Sequence, residues 1–171
     1  YESSRIVIGP QDDRLVIPQF MPESGFFAQS NNNPGFFSES DLQGGVGAQD
    51  VVVYNVLDDL IFWSDDEFTN PTEGTTIRIL NNPGFVEDTV VGTDTGPQYG
   101  EFEPLSNSIG QAVDGEFHAH VDFRLEPLAA DVEPELAPAI GAYGLKLSLS
   151  TDNESIAESD PFMVVFQYGI D

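Results

Sequence analysis

The segment that decides the fold runs Glu116-Phe117-His118-Ala119-His120-Val121-Asp122-Phe123-Arg124-Leu125-Glu126. Apolar and polar residues alternate along its whole length, which is the pattern of a half-buried β-strand. The apolar side begins at Phe117 and ends at Leu125, and the only two histidines of the chain lie on the polar side. We therefore expect one continuous strand whose imidazoles leave the same face, with their Cα atoms about 6.5–7 Å apart.

Similar strand-like runs recur along the chain, with turn residues between them. No window has a convincing helical period, and Pro134 and Pro138 interrupt the one Ala-rich stretch. The sequence therefore predicts an all-β fold, a two-sheet antiparallel sandwich of roughly eight short strands with long irregular loops. We expect a single domain over residues 1–171. The runs are Arg5–Ile8, Leu15–Ile17, Asp50–Leu57, Leu60–Trp63, Thr75–Leu80, Tyr143–Ser150 and Pro161–Tyr168.

Residues 1–20 are expected to form either an N-terminal arm or edge strands of the sandwich. Their apolar runs, Ile6–Ile8 and Leu15–Ile17, each lie beside a proline. Edge strands of the same sandwich are the favoured interpretation, and a strand donated to a neighbouring molecule is the alternative.

One pentapeptide occurs twice, as Asn32-Asn33-Pro34-Gly35-Phe36 and as Asn81-Asn82-Pro83-Gly84-Phe85. We interpret it as one turn type used twice, with the phenylalanine returning to the core. The first copy lies in the irregular segment 21–49, where we expect Phe26, Phe27, Phe36 and Phe37 to pack onto the sandwich.

The charge of the chain limits its partners. Thirty Asp and Glu residues face five Lys and Arg, which gives a formal net charge of −25, and there is no cysteine. Such a chain repels nucleic acid and anionic lipid, so neither is an expected partner. The absence of cysteine excludes disulfides and thiolate chemistry. Solubility at high salt is the favoured interpretation of this acidity, and counter-ions such as calcium are expected between the carboxylates.

Cell location and activity are inferred from what the chain contains. No stretch reaches the roughly 20 apolar residues of a membrane span. The chain begins at Tyr1 and shows no signal peptide, so we expect a processed mature protein that is secreted or held at the cell surface. It has no nucleophile elbow, phosphate loop or metalloprotease helix motif, and we therefore expect no enzymatic activity.

The histidine pair is the candidate metal site. His118 and His120 lie between Glu116 and Asp122 on one strand face, where the carboxylates could accept the second imidazole N–H and fix its tautomer. Imidazole suits copper, zinc and other late transition metals. The alternative is a pair of exposed histidines with no ligand. Trp63, the only tryptophan, is by itself a core or interface aromatic.

Four segments of the chain, which span most of residues 30–169, carry a resemblance. In this order they resemble a group of secreted bacterial β-proteins, many of which have a surface-sorting tail and are repressed by metal. The segments are Asn32–Phe36; Val53–Leu57 through Trp63 to Phe68; Phe117–Phe123; and Gly141–Tyr143 through Ser159–Phe162 to Tyr168–Gly169.

More distantly the chain resembles the surface-associated copper-binding proteins of methanotrophs, of the MopE and CorA type. In that family two histidines and a tryptophan oxidised to kynurenine hold copper. The resemblance implies Trp63 as the modified residue and His118 or His120 as a ligand. The family has a histidine two residues after the tryptophan, where this chain has Asp65. Either the His-x-His pair supplies both imidazoles, or this chain has lost tight copper binding.

The sequence therefore leads to two alternative hypotheses for the function of the protein. The first is a secreted or cell-surface protein that sequesters copper, or alternatively zinc, at His118 and His120 near Trp63. The second is a structural subunit of an extracellular filament or surface layer, which self-assembles or binds other surface proteins and is stabilised by cations such as calcium.

Overall fold

The computed structural model describes residues 4–5, 16–23, 29–38, 46–64, 67–69, 75–81, 86–126 and 138–170. Every regular element among them is a β-strand, so the prediction of an all-β fold is confirmed. The same residues contain no helix of the length and hydrophobicity needed to cross a bilayer.

Fifteen strands are formed by the described residues, and seven of them are only two or three residues long. They are β1 Ser4–Arg5, β2 Val16–Met21, β3 Ser30–Asn31, β4 Phe36–Ser38, β5 Val51–Val56, β6 Ile61–Ser64, β7 Glu67–Thr69, β8 Thr76–Leu80, β9 Thr89–Val91, β10 Ser108–Gln111, β11 Phe117–Ala119, β12 Asp122–Glu126, β13 Gly141–Thr151, β14 Ile156–Ala157 and β15 Phe162–Tyr168. The number exceeds the expected eight because the loops also pair their backbone groups in short segments, which leaves fewer of those groups unsatisfied.

The larger sheet has seven strands and is organised around β13. Five strands follow the order β10-β5-β13-β15-β2, and β6 and β7 extend from the β5 side of β13. Along β13, Tyr143, Leu145, Leu147 and Leu149 alternate with smaller or polar residues, and all four are buried. A strand with partners on both sides and such a row of large side chains forms the centre of a sheet.

Two pairs of strands are parallel, and there the expected antiparallel arrangement is wrong. β2 runs parallel to β15, with Val16 opposite Met163 and Met21 opposite Tyr168, and β1 runs parallel to β14. No hairpin joins the members of either pair, so no short connection imposes an antiparallel direction. As favoured from the sequence, Val16–Met21 is an edge strand of its own chain. Ile6–Ile8 lies outside the described residues.

The remaining strands form a four-stranded sheet in the order β3-β12-β8-β9 and a two-stranded ribbon of β11 and β4. The four-stranded sheet packs on the larger one in a single apolar cluster that includes Ile77, Ile79 and Phe123 from the smaller sheet. The rings of Phe123 on β12 and Phe166 on β15 lie 4.9 Å apart between centroids. The apolar face of the histidine segment therefore lies in this core from Phe117 to Leu125.

A polar network lies inside the core beside β5. The Tyr54 hydroxyl lies 2.5 Å from Asn81 Oδ1 and 2.8 Å from Thr89 Oγ1, and Thr89 Oγ1 donates to Asn107 Oδ1 at 2.7 Å. All four residues are buried. Burial raises the pKa of the Tyr54 hydroxyl well above its ordinary value. Because these groups satisfy one another, the network stabilises the fold although it is polar.

Candidate metal centre

The chain changes sheets in the middle of the histidine segment, so the expected single strand is wrong. Phe117–Ala119 pairs with β4 in the ribbon, whereas Asp122–Glu126 joins β8 and β3 in the four-stranded sheet. His120 and Val121 connect the two strands. The inside–outside alternation continues across this junction, since Phe117, Val121 and Phe123 are buried while both histidines are exposed.

The two imidazoles converge, as the alternation predicts. His118 Nε2 and His120 Nε2 lie 3.1 Å apart, and the ring centroids are separated by 5.1 Å with an angle of 48° between the planes. This distance is that of a hydrogen bond between the two rings, and because both rings are exposed, an ion from solvent can reach the nitrogens.

A backbone carbonyl orients the second imidazole. His120 Nδ1 lies 2.8 Å from the carbonyl oxygen of Asn32. Since a carbonyl only accepts hydrogen bonds, Nδ1 carries the proton, and in the neutral ring Nε2 keeps a lone pair that accepts a hydrogen bond from His118 Nε2–H. This is the arrangement that a metal-binding histidine needs. We expected Glu116 or Asp122 to fix the tautomer, but among the described residues no hydrogen bond joins either carboxylate to His120.

Gly35 leaves the space that the His120 imidazole occupies. A Cβ atom placed on Gly35 would lie 2.5 Å from His120 Cε1, a separation that side chains do not tolerate. The first Asn-Asn-Pro-Gly turn therefore presents a carbonyl at Asn32 and open space at Gly35, and the His120 imidazole fits between them. The sequence shows this turn clearly, but nothing in the sequence places it beside the histidines.

The distance between the nitrogens selects a coordination geometry. With metal–nitrogen bonds of about 2.0–2.1 Å, nitrogens 3.1 Å apart subtend an angle of about 100° at the metal. Two collinear imidazoles, as two-coordinate Cu⁺ prefers, would need a separation of about 4 Å with the same bond lengths. The pair as arranged suits adjacent positions of a tetrahedral or square-planar ion, namely Zn²⁺ or Cu²⁺.

Trp63 lies on a different part of the molecule. It is on β6 in the larger sheet, where its backbone pairs with Ala142 of β13 and Phe68 of β7, and its side chain is 40% exposed. No hydrogen bond or ring contact joins it to either histidine, all three being described residues. Asp65, the other position in the resemblance, lies outside the described residues. Within the described ranges, no three His, Cys, Asp or Glu side chains are grouped to hold a metal.

Phe37 is the aromatic neighbour that sequence reasoning placed wrongly. We expected it to pack onto the sandwich, but it lies opposite His118 in the ribbon and is 69% exposed, while Phe36 is buried. Successive residues of a strand point to opposite faces, so only one of two adjacent phenylalanines can enter the core.

The comparisons with known proteins add no relative. A scan against models of protein families finds no match for this chain, and a search of curated proteins finds no significant similarity. The likeness to the methanotroph copper-binding proteins therefore rests on the quoted segments alone and stays a prediction.

Proposed function

We propose that this protein is a secreted or cell-surface protein that sequesters one divalent transition metal ion at His118 and His120. The observation that carries the proposal is the 3.1 Å separation of the two Nε2 atoms, since it suits two adjacent ligands of one ion. Copper as Cu²⁺ is the proposed ion and zinc is the alternative. The role is binding and not turnover.

Two further features favour binding. The carbonyl of Asn32 holds His120 with its Nε2 lone pair toward His118, so one ligand is oriented before a metal arrives, and His118 gives up its Nε2 proton when the metal binds. The net charge of −25 attracts cations to the surface. Trp63 is not required by this proposal, and the family's modified tryptophan comes to this chain only by resemblance.

The architecture that we propose is the two-sheet sandwich expected from the sequence, with the seven-stranded and four-stranded sheets as its layers. It is supported by the apolar cluster shared by both sheets and by the contact of Phe123 with Phe166. The histidines then lie at one margin, where the chain leaves the ribbon and enters the smaller sheet.

Titration calorimetry on metal-free protein tests the function. Wild-type protein should bind one Cu²⁺ or Zn²⁺ with high affinity in excess calcium, which occupies the weaker carboxylate sites. The double variant His118→Ala, His120→Ala has no imidazole left and should lose this binding while it keeps its melting temperature, because both rings are exposed. Trp63→Phe is the matched control and should bind as wild type.

Paramagnetic resonance on the Cu²⁺ form gives an independent reading. Two coordinated imidazoles should produce splitting from two nitrogens, and each single histidine variant should reduce it to one. A double variant that binds Cu²⁺ as tightly as wild type would refute the proposal. Loss of binding in Trp63→Phe alone would favour the ligand set implied by the methanotroph proteins.

The rival proposal is a structural subunit that assembles in calcium. The observation in its favour is β2, an edge strand of the larger sheet with Val16 and Phe20 exposed. Edges of this kind can pair with a second chain. Pro18 opposes the pairing, since it lacks a backbone N–H. Light scattering with and without millimolar calcium separates the proposals, because a pure metal binder keeps the mass of one chain.

A further inference from the structure

A groove runs between the edge of the larger sheet and the four-stranded sheet. One wall is β2 with Gln19 and Phe20, and the other is formed by β3 with the turn that follows it and by β12. Its volume is about 960 Å³. Small-molecule sites range over roughly 300–1,000 Å³, so this groove has room for several linked rings.

The lining is unusually rich in amides for this chain. Gln19, Gln29, Asn31, Asn32 and Asn33 line the groove, against the two carboxylates of Asp122 and Glu126. In the whole sequence the proportion is reversed, with 30 acidic residues and only nine Asn and eight Gln. With Arg124 included, the groove has a net formal charge of −1 in a chain of −25.

Asn31 ties the two walls together. Its Nδ2 donates to the carbonyl of Phe20 on β2, and its Oδ1 accepts from the backbone N–H of Asn33 at 2.7 Å. This residue fixes the distance between β2 and β3 and the direction of the turn after β3. These hydrogen bonds between the Asn31 side chain and backbone groups therefore join β2, β3 and the turn that follows β3.

Four side-chain amides and Arg124 remain available to a ligand in the groove. The side-chain amides of Gln19, Gln29, Asn32 and Asn33 form no hydrogen bond with any described residue. Within the same part of the chain, Arg124 has no ion pair, whereas Glu126 is held by Arg78 at 2.8 Å. An exposed aromatic ring, Phe20 at 55%, lies beside these groups.

We propose that this groove binds a neutral carbohydrate chain. Sugar hydroxyls both donate and accept hydrogen bonds, and so do side-chain amides, whereas carboxylates only accept. The C–H face of a pyranose ring is apolar and packs on an exposed aromatic ring such as Phe20. A nucleic acid or an acidic glycan is opposed by the charge of the chain. The inference does not depend on metal binding, although Asn32 belongs to both the groove and the histidine site.

The test is a titration of ¹⁵N-labelled full-length protein, in chelator, with neutral hexasaccharides of glucose, N-acetylglucosamine, galactose and mannose at millimolar concentration. At least one sugar should shift the side-chain amide signals of Gln19, Asn32 and Asn33 in a saturable way. The signals of Phe37 should stay unchanged. If none of the four sugars shifts the groove signals, the proposal is wrong.

Matched variants separate the groove from the surface in general. Phe20→Ala should weaken binding at least about tenfold, because it removes the stacking ring. Phe37→Ala removes an even more exposed phenylalanine outside the groove and should have no effect. Asn32→Ala should also weaken binding. Gln111→Ala should not, because Gln111 lies on β10, at the edge of the larger sheet opposite β2.

Three outcomes would overturn the assignment even if a signal moved. Equal weakening by Phe20→Ala and Phe37→Ala would mean nonspecific contact with exposed rings. Shifts of the groove signals by calcium in buffer without chelator, with the sugars silent, would make the groove a cation site. Shifts by a lysine-rich peptide alone would make it a site for basic protein segments.

Discussion

The two copies of the Asn-Asn-Pro-Gly-Phe motif place their first asparagine in opposite surroundings. Asn32 is exposed, and its backbone carbonyl holds His120. Asn81 is buried, and its side chain contacts Tyr54, Thr89 and the carbonyl of Glu87. The same local sequence thus serves a surface site through the main chain in one copy and the core through the side chain in the other. What each asparagine does depends on the strands that face it.

The largest expected effect is at Asn81. Asn81→Ala leaves the Tyr54 hydroxyl with one partner fewer and the Glu87 carbonyl without its amide donor. We expect a loss of about 2–4 kcal/mol in the free energy of unfolding, because a buried network loses a central member. Urea denaturation measures it. A loss below about 1 kcal/mol would mean that water replaces the side chain.

The second prediction concerns the stability of the fold at alkaline pH, and it involves Tyr54, the hydrogen-bond partner of Asn81 in the buried copy. Burial raises the pKa of Tyr54, so the folded state keeps this proton at a pH where the unfolded chain has released it. Stability is therefore fully present below about pH 10 and falls as the pH rises above it, by up to about 1.4 kcal/mol per pH unit for one tyrosine.

Tyr143, whose pKa burial also raises, contributes a fall of the same sign. Denaturation curves between pH 8 and 11 should therefore show a shallower decline in Tyr54→Phe than in wild type. Tyr99 is exposed, and Tyr99→Phe is the control that should leave the slope unchanged. Equal slopes in wild type and Tyr54→Phe would remove Tyr54 from the explanation.

The third prediction concerns the space that Gly35 leaves for the His120 imidazole. Gly35→Ala introduces a Cβ into the space of the imidazole, which must swing away because it is exposed. We expect metal affinity to fall by about 10–100-fold, the usual cost of losing the support of a ligand, and stability to change by less than about 1 kcal/mol. Calorimetry and thermal unfolding on the same sample measure both. Unchanged metal affinity would show that binding does not require the His120 ring to occupy this space.

The smallest effect is expected at Asn32. Asn32→Ala removes an exposed side chain but keeps the carbonyl that accepts from His120 Nδ1. Stability should change by no more than about 0.5 kcal/mol, and metal affinity should remain that of wild type. A destabilisation as large as that of Asn81→Ala would erase the contrast between the two copies.

The residue pattern of the sequence predicted the local features of the structure. The alternation from Phe117 to Leu125 correctly assigned buried and exposed side chains, and it brought the imidazoles of His118 and His120 to one side. It could not show that the chain passes from the ribbon to the sheet at His120, because the side-chain pattern is identical in both. It also could not show the direction of β2, since no turn signal links Val16–Met21 to β15.

The groups that orient the histidines of the candidate site could not be predicted from the sequence for a similar reason. The carbonyl of Asn32 is a backbone atom that every residue type offers, and it lies 88 positions from His120. Only the fold brings the two together. Phe37 shows the same limit, since either Phe36 or Phe37 could have been the buried one until β4 was placed against β11.

The position of β13 at the centre of the larger sheet has a consequence for how the chain reaches its native state. β5, formed by residues 51–56, pairs with β13 only after residues 147–151 have been synthesised, and β2 waits for β15 at 162–168. Pairing over such separations is slow, typically milliseconds to seconds for β-proteins. A nascent chain that stops before residue 141 therefore exposes the apolar run of β5 without its central neighbour, and unpaired apolar strands of this kind are prone to aggregate.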